Sequence, residues 1–176
     1  DGRAGWAYYL MEQGYTLYMV DYPARGRSAY LPGGAHGDLG IRTVEQLETI
    51  WTNVAEKGNF PLDQNHTQWP GTGKMGDPIM DAFTRTQVQY IGATQAKLTI
   101  DANTALLDLI DGPVILLTHS QGGRFGWSIA DERPDNIKAI VTVEPSSPPI
   151  RSVDSAKVAY RESGGLAWGV GNVPIT

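Results

Sequence analysis

Gly112-Pro-Val-Ile-Leu-Leu-Thr-His-Ser-Gln-Gly-Gly123 is the stretch of sequence that decides the fold. An unbroken apolar run of strand length lies between a Gly-Pro pair and a Gly-Gly pair. This pattern is typical of a buried parallel strand that turns directly into a helix. Within it, Thr118-His-Ser-Gln-Gly122 is a variant of the nucleophile-elbow pattern G-x-S-x-G, with threonine in place of the first glycine. That pattern holds a serine on a strained turn, so we predict an exposed nucleophile at Ser120.

The residues beside Ser120 have predicted roles of their own. His119 precedes the serine, and its side chain points to the other side of the turn, so we interpret it as a packed or hydrogen-bonded neighbour. Gly122 is small enough for the strained turn, and Gly123 lets the following helix lie close to the strand. Because free N–H groups at the start of a helix attract an anion, we predict the backbone N–H of Gln121 as one oxyanion donor.

A second predicted strand, Ile137-Lys-Ala-Ile-Val-Thr-Val143, is followed directly by Glu144. Strands joined through a helix are parallel neighbours, so Val143 and the elbow strand end at the same edge of the sheet. Neighbouring strands lie about 4.8 Å apart, which places Glu144 one or two strand spacings from Ser120. A serine nucleophile needs a base and a group that orients the base. Glu144 is therefore the candidate acid, and a solvated strand-end glutamate is the alternative.

The base has no strong candidate in this sequence. His36 and His66 lie outside the strands and helices that carry the elbow, and we interpret them as surface or pocket-lining residues. Hydrolases with this elbow have the chain order serine, acid, histidine, and no histidine follows Glu144. We therefore expect the catalytic histidine and the second oxyanion donor to come from segments outside these residues.

The rest of the chain predicts alternating helices and strands. We expect helices at residues 4–13, 43–57, 122–132 and 151–161, one or two helices within residues 81–111, and a strand at residues 15–20. The loop 21–28 follows that strand at the edge where open α/β sheets place their sites, and we interpret its Asp21 and Ser28 as turn and capping residues, with a catalytic role as the alternative. Residues 31–80 form an excursion over the sheet edge, either a cap on the active site or a surface insertion. Residues 164–176 are a glycine-rich apolar tail.

Composition excludes several functions. The 176 residues carry a net charge of −5, which argues against binding to nucleic acid, and no apolar run is long enough to span a bilayer. There is no cysteine, and the three histidines are too widely separated to form a metal site. We expect no cofactor and no metal.

Four phrases resemble the α/β-hydrolase superfamily. They are Asp1-Gly-Arg-Ala-Gly-Trp-Ala-Tyr-Tyr9, Gly14-Tyr-Thr-Leu-Tyr-Met-Val-Asp-Tyr-Pro-Ala-Arg-Gly-Arg-Ser28, Thr118-His-Ser-Gln-Gly-Gly123 and Val143-Glu-Pro145. The likeness is greatest to bacterial and fungal esterases whose triad acid is a glutamate directly after the strand that follows the nucleophile. It implies a partial α/β-hydrolase fold, a parallel sheet flanked by helices, with residues 31–80 as a cap-like excursion.

By that resemblance, Ser120 matches the nucleophile, Glu144 the triad acid and Gln121 the oxyanion amide of an enzyme that acts on small-molecule carboxylic esters. The first and last strands of the family are not in these residues. We therefore expect residues 1–176 to be one incomplete domain from the middle of a longer hydrolase.

Other interpretations stay open. A non-catalytic α/β-hydrolase-like binding module, or an inactive fragment, is the main alternative. A dinucleotide-binding fold is disfavoured, because the glycines after Ser120 lack the spacing G-x-G-x-x-G. The sequence leaves the acyl and alcohol groups, the oligomeric state and the compartment open, and by the resemblance a secreted or periplasmic location is one option.

Overall fold

The longest strand pair among the described residues is parallel. The computed structural model describes residues 2–32, 36–58, 60–92, 94–154, 159–160 and 175. Strand β3 (Val114–His119) leads through helix α6 (Gly123–Glu132) to strand β4 (Ile137–Val143), which pairs with β3 in parallel. The strand–helix–strand unit predicted around Ser120 is present, and the α/β fold class with flanking helices is confirmed.

One face of these strands packs against helices. Ile100 and Leu107 of helix α5 (Gln95–Leu107) are buried together with Phe125 and Ile129 of α6. Val114, Leu116 and Ile137 of the strands and Tyr22 pack against this cluster. Complete burial of each such apolar side chain contributes about 1.5–3 kcal/mol. The cluster therefore fixes α5 and α6 on the same side of the strand pair.

The other face of β3 is less buried than predicted. The apolar run 114–117 was expected to be covered on both sides, but Ile115 and Leu117 are 43% and 46% exposed. Side chains alternate between the two faces of a strand. Only the face that carries Val114 and Leu116 packs against the core cluster of the described residues.

The predicted helix at residues 43–57 begins as expected and is then interrupted. Thr43 and Gln46 form the predicted capping box at the start of α2 (Val44–Leu47). A π-helical turn (Glu48–Thr52) follows, and then α3 (Val54–Lys57). The interruption coincides with a long-range contact, because the hydroxyl of Thr52 donates to the carbonyl of Gly73 at 2.6 Å. This contact ties the helix to the loop that follows it.

The remaining predictions are partly correct. Helix α1 (Trp6–Glu12) lies within residues 4–13 as predicted. Residues 81–111 contain the end of α4 (Pro78–Arg85), the short strand β2 (Tyr90–Ile91) and α5. Strand β2 pairs with β1 (Leu39–Gly40), which was not predicted.

Two predicted elements are wrong. Residues 15–20 form no strand, and Tyr15, Tyr18, Met19 and Val20 are more than half exposed. Their β-rich composition is not sufficient, because a strand needs a hydrogen-bonded partner and none of the described strands pairs with them. The helix expected at residues 151–161 is replaced, where the structure describes it, by the antiparallel pair β5 (Val153–Asp154) and β6 (Ala159–Tyr160). The predicted tail lies outside the described residues, apart from residue 175.

Candidate active site

Ser120 occupies a strained turn at the carboxyl end of β3. Its φ angle is +50°, and its side chain is exposed. The left-handed conformation costs a non-glycine residue roughly 1–2 kcal/mol. A short 3-10 turn (Ser120–Gly122) then leads directly into α6. Such a turn holds a serine hydroxyl at the sheet edge, in front of the first N–H groups of a helix.

Glu144 occupies the equivalent position on β4. His119 and Val143 are register partners, so Ser120 and Glu144 are the first residues beyond the same rung of the parallel pair. Glu144 is exposed and also has a left-handed backbone, with φ of +45°. The two loops are joined by a backbone hydrogen bond of 3.0 Å, from the N–H of Ser146 to the carbonyl of Ser120. The structure thus brings these two candidate residues together at one edge.

Close packing explains the two glycines after Gln121. A Cβ on Gly123 would lie 2.7 Å from the Cβ of Pro145 and 2.9 Å from the Cγ2 of Thr142. Gly123 therefore allows α6 to approach the end of β4, whereas the sequence analysis predicted a close approach to the strand before Ser120. Gly122 has a different neighbour, because a Cβ there would collide with the hydroxyl of Tyr22. That hydroxyl lies directly against the backbone of the elbow.

Thr118, at the position of the missing first glycine, is accommodated by the helix above it. Its hydroxyl forms a 3.2 Å hydrogen bond with that of Thr142 on β4. Its methyl group lies 3.1 Å from the point where Gly126 of α6 would carry a Cβ. The absence of a side chain at Gly126 therefore leaves room for the threonine.

Gln121 is held by a residue that was not predicted from the sequence. Its Nε2 donates to Oε1 of Gln95 at 2.8 Å, and Gln95, the first residue of α5, is only 4% exposed. The side-chain bond anchors the residue whose backbone N–H is the candidate oxyanion donor. The sequence held one indication that Gln95 is buried. It stands one helical turn before Thr99 and Ile100, which are themselves buried.

Two guanidinium groups lie near Tyr22, whose hydroxyl packs against Gly122. Burial raises the pKa of Tyr22, and the nearby charges of Arg25 and Arg124 oppose this shift. Burial also lowers the pKa of Arg124. The Nε atoms of both arginines are buried and have no hydrogen-bond partner among the described residues. The surroundings of Tyr22 are therefore positively charged.

The loop 21–28 has the structural role that was predicted for it. Arg27 donates from both its backbone N–H and its Nε to the carboxylate of Asp21, at 3.0 and 2.7 Å, and these bonds lower the pKa of Asp21. The hydroxyl of Ser28 donates to the carbonyl of Asp21. Asp21 thus stabilises the turn through hydrogen bonds with Arg27 and Ser28.

The histidines lie in different places. His119 is exposed and follows Thr118 on β3, so the two side chains point to opposite faces. His36 accepts a hydrogen bond from the N–H of Leu31 through Nδ1, and His66 lines a pocket of about 190 Å³ in the excursion. Among the described residues, no hydrogen bond joins a histidine to Ser120 or Glu144, and no group of side chains is arranged to hold a metal ion.

Comparison with known proteins identifies the family. The alpha/beta hydrolase fold family matches residues 2–161, so the chain belongs to this family, as its sequence predicted. No solved structure matches the chain. Within the described residues, no helix is both long and apolar enough to cross a membrane.

Two curated relatives carry lipase names. A protein of Fungal sp. (strain ATCC 74256) named "Probable secreted lipase phiG" is 45% identical over 152 residues, which cover 85% of this chain and 40% of that protein. "Lipase LipV" of Mycobacterium tuberculosis is 39% identical over 56 residues, 29% of this chain and 22% of that protein. The chain therefore spans well under half the length of either relative.

Proposed function

We propose that this chain is the nucleophile-bearing part of a serine hydrolase that cleaves carboxylic esters. The observation that carries the proposal is the position of Ser120 and Glu144, which follow the same rung of a parallel strand pair. The family and the lipase names of two relatives support ester hydrolysis as the reaction. We further propose that residues 1–176 form one incomplete α/β-hydrolase domain. Residues 31–80 are the cap of this domain.

In the proposed reaction, the Oγ of Ser120 attacks the ester carbonyl while a histidine takes its proton. The histidine is supplied by a part of the protein outside these residues. The carbonyl oxygen becomes an oxyanion and accepts a hydrogen bond from the backbone N–H of Gln121. Collapse of this intermediate expels the alcohol, which receives the proton, and leaves an acyl group on Ser120. Water then attacks the acyl group by the same route and releases the acid.

Glu144 has an orienting role in this scheme. Its carboxylate accepts a hydrogen bond from the imidazole and stabilises the imidazolium that forms when Ser120 loses its proton. Removal of an orienting carboxylate in such a triad costs about 10⁴-fold in kcat. A single oxyanion donor contributes about 10²–10³-fold. The left-handed backbone at both Ser120 and Glu144 supports a site held in a fixed geometry.

Ester turnover by the full-length protein tests the proposal. Hydrolysis of p-nitrophenyl acetate is expected to fall to background in Ser120→Ala and to persist in Ser146→Ala, the matched serine control in the adjacent loop. Glu144→Gln is expected to lose most of the activity, whereas Glu132→Gln at the end of α6 retains it. A folded wild-type protein without turnover would instead favour the binding module. Full activity in Ser120→Ala would refute the assignment of Ser120 as the nucleophile.

A further inference from the structure

Two arginine side chains near Tyr22 have no role in the reaction just described. Arg25 lies in the loop 21–28, and Arg124 is the second residue of α6. Burial raises the pKa of Tyr22, and the charges of both guanidinium groups oppose this shift. The described residues thus bring two positive charges, from distant parts of the chain, to one tyrosine.

Contacts with aromatic rings hold both guanidinium groups in place. The Cζ of Arg124 is 5.3 Å from the ring centre of Phe125, and that ring lies edge to face with Tyr22, with ring centres 5.5 Å apart. The Cζ of Arg25 is 5.8 Å from the ring centre of Tyr90. A cation is attracted to the face of an aromatic ring, but the ring does not neutralise its charge. Each guanidinium is therefore positioned and still positive.

The backbone also fixes the position of Arg25. The N–H of Arg25 donates to the carbonyl of Tyr22 at 2.9 Å, and the N–H of Ser28 donates to the carbonyl of Arg25 at 2.8 Å. Within this turn, Ala24 has a left-handed backbone with φ of +64°. That conformation is unfavourable for alanine and persists only where the surrounding contacts enforce it. The turn therefore presents Arg25 from a fixed backbone.

Neither guanidinium group has an anionic partner in the described part of the chain. The Nε atoms of Arg25 and Arg124 are buried there without a hydrogen-bond partner. Burial lowers the pKa of Arg124, and among the described residues only Tyr22 opposes this shift. Asp38 lines the same pocket as Tyr90, but within the described residues it forms no ion pair with an arginine. Both positive charges are thus partly buried and unpaired by the described residues.

Two other arginines of the chain have carboxylate partners. The Nε of Arg27 donates to Asp21 at 2.7 Å, and Arg133 donates to Asp108 from Nε at 2.8 Å and from Nη2 at 3.1 Å. These pairs lie at the surface, where a charge without a partner costs little because water solvates it. A partly buried charge has less water and a greater need of a partner. The two arginines near Tyr22 are therefore suited to hold an anion.

We propose that Arg25 and Arg124 bind one oxyanion group, a carboxylate or a phosphate, beside the hydroxyl of Tyr22. The planar forks of the two guanidinium groups supply charge-assisted donors that match the oxygens of such a group, and the hydroxyl is a further donor. The oxyanion is either a free anion or a carboxylate side chain of the full-length protein. This inference goes beyond the proposed function, because the oxyanion takes no part in ester hydrolysis.

Replacement of each arginine by methionine in the full-length protein tests the site. Arg25→Met and Arg124→Met remove the charge and keep an apolar side chain. Arg42→Met is the matched control, because the Cζ of Arg42 also lies near an aromatic ring, 5.2 Å from the ring centre of Trp51. The charge of Arg42 does not act on Tyr22, and its Nε is not buried without a partner. Thermal unfolding is recorded in Tris chloride and in sodium phosphate at matched ionic strength.

The two sources of the oxyanion predict different changes in Tm. If the oxyanion is free, phosphate raises the Tm of the wild type and of Arg42→Met by several degrees more than that of Arg25→Met or Arg124→Met. If it is a carboxylate of the protein, Arg25→Met and Arg124→Met have a lower Tm than Arg42→Met in both buffers, because a buried carboxylate loses its partner. Both variants matching or exceeding Arg42→Met in both buffers, with the same response to phosphate, would overturn the proposal.

NMR of the arginine Nε–H groups in the wild type covers the case in which a methionine variant does not fold. Arg25→Lys and Arg124→Lys, which keep the charge, assign the two signals. Arg27 is the reference, because its Nε donates to the carboxylate of Asp21. The proton signals of Arg25 and Arg124 are expected downfield with that of Arg27, in both buffers for a carboxylate of the protein and only in phosphate for a free anion. Signals that stay upfield in both buffers would contradict the site.

Discussion

Ser120 and Glu144 stand in equivalent positions on neighbouring parallel strands, each directly after a residue of the last shared rung and each with a left-handed backbone. This relationship follows from the strand–helix–strand connection, which carries both strands to one edge. The bond between Ser146 and Ser120 then fixes the two loops relative to each other. The backbones of a serine and a glutamate are thus held at one edge of the strand pair.

Replacement of Ser120 by glycine should separate the backbone strain at this position from the catalytic role of the hydroxyl. Glycine adopts positive φ without the Cβ penalty, so Ser120→Gly is expected to be about 1 kcal/mol more stable than Ser120→Ala. Both variants are expected to lose ester turnover. Urea unfolding of the two proteins under identical conditions measures the difference. If Ser120→Ala proved equally stable, the elbow would not be strained.

Close packing at Gly123 should make this position intolerant of a side chain. Gly123→Ala introduces a methyl group 2.7 Å from Pro145, and overpacking of this kind costs about 1–3 kcal/mol. Gly126→Ala, in the same helix and 3.1 Å from a threonine methyl, is the control and is expected to cost less. Thermal unfolding of both variants gives the comparison. An equal or smaller loss in Gly123→Ala would argue against the close approach of α6 to β4.

Gln95 is expected to act as a positioning residue for Gln121. Gln95→Leu removes the acceptor of the 2.8 Å bond, so we expect kcat for ester hydrolysis to fall several-fold with little change in KM. Thr99→Val, one turn further along α5, removes a buried hydroxyl that has no hydrogen-bond partner in the described part of the chain, and it should leave kcat unchanged. Steady-state measurements of kcat and KM for both variants test this role of Gln95. A rise in KM with constant kcat in Gln95→Leu would show a different role.

The excursion should lose stability in acid through Glu48. Hydrogen bonds from Lys57 and from the N–H of Met75 lower the pKa of this buried carboxyl. A folded-state pKa below the unfolded-state value of about 4.3 contributes stability above that pH. The contribution is lost as pH falls through the folded-state pKa.

Urea unfolding midpoints from about pH 3 to about pH 7 test this prediction. Glu48→Gln is expected to have a flatter profile than the wild type at the acidic end. Glu132→Gln, at the exposed end of α6, should follow the wild-type profile. A wild-type profile that Glu48→Gln leaves unaltered would contradict the assignment.

Local patterns predicted the centre of this fold well. The apolar run before Ser120, the glycines after it and the β-branched run before Glu144 all act within a few residues of their own elements. The parallel pairing follows from a general rule of chain topology, so the shared edge was predictable. The capping box of Thr43 and Gln46 is also encoded within four residues.

Other features depend on contacts between distant parts of the chain. The π-helical turn at Glu48–Thr52 is tied to Gly73, and Gln95 meets Gln121 only after α5 and α6 have packed. The strand expected at residues 15–20 had suitable composition, but β-propensity depends on a partner strand. The pairing of β1 with β2 joins residues about fifty positions apart and left no local signal.

The most direct test of the central claim is the reaction of the full-length protein with a fluorophosphonate ester, read by peptide mass spectrometry. Fluorophosphonates react with activated serine nucleophiles, so the account predicts one adduct, on Ser120, which is absent in Ser120→Ala and forms much more slowly in Glu144→Gln. An intact, folded protein with no adduct on Ser120 would contradict the account.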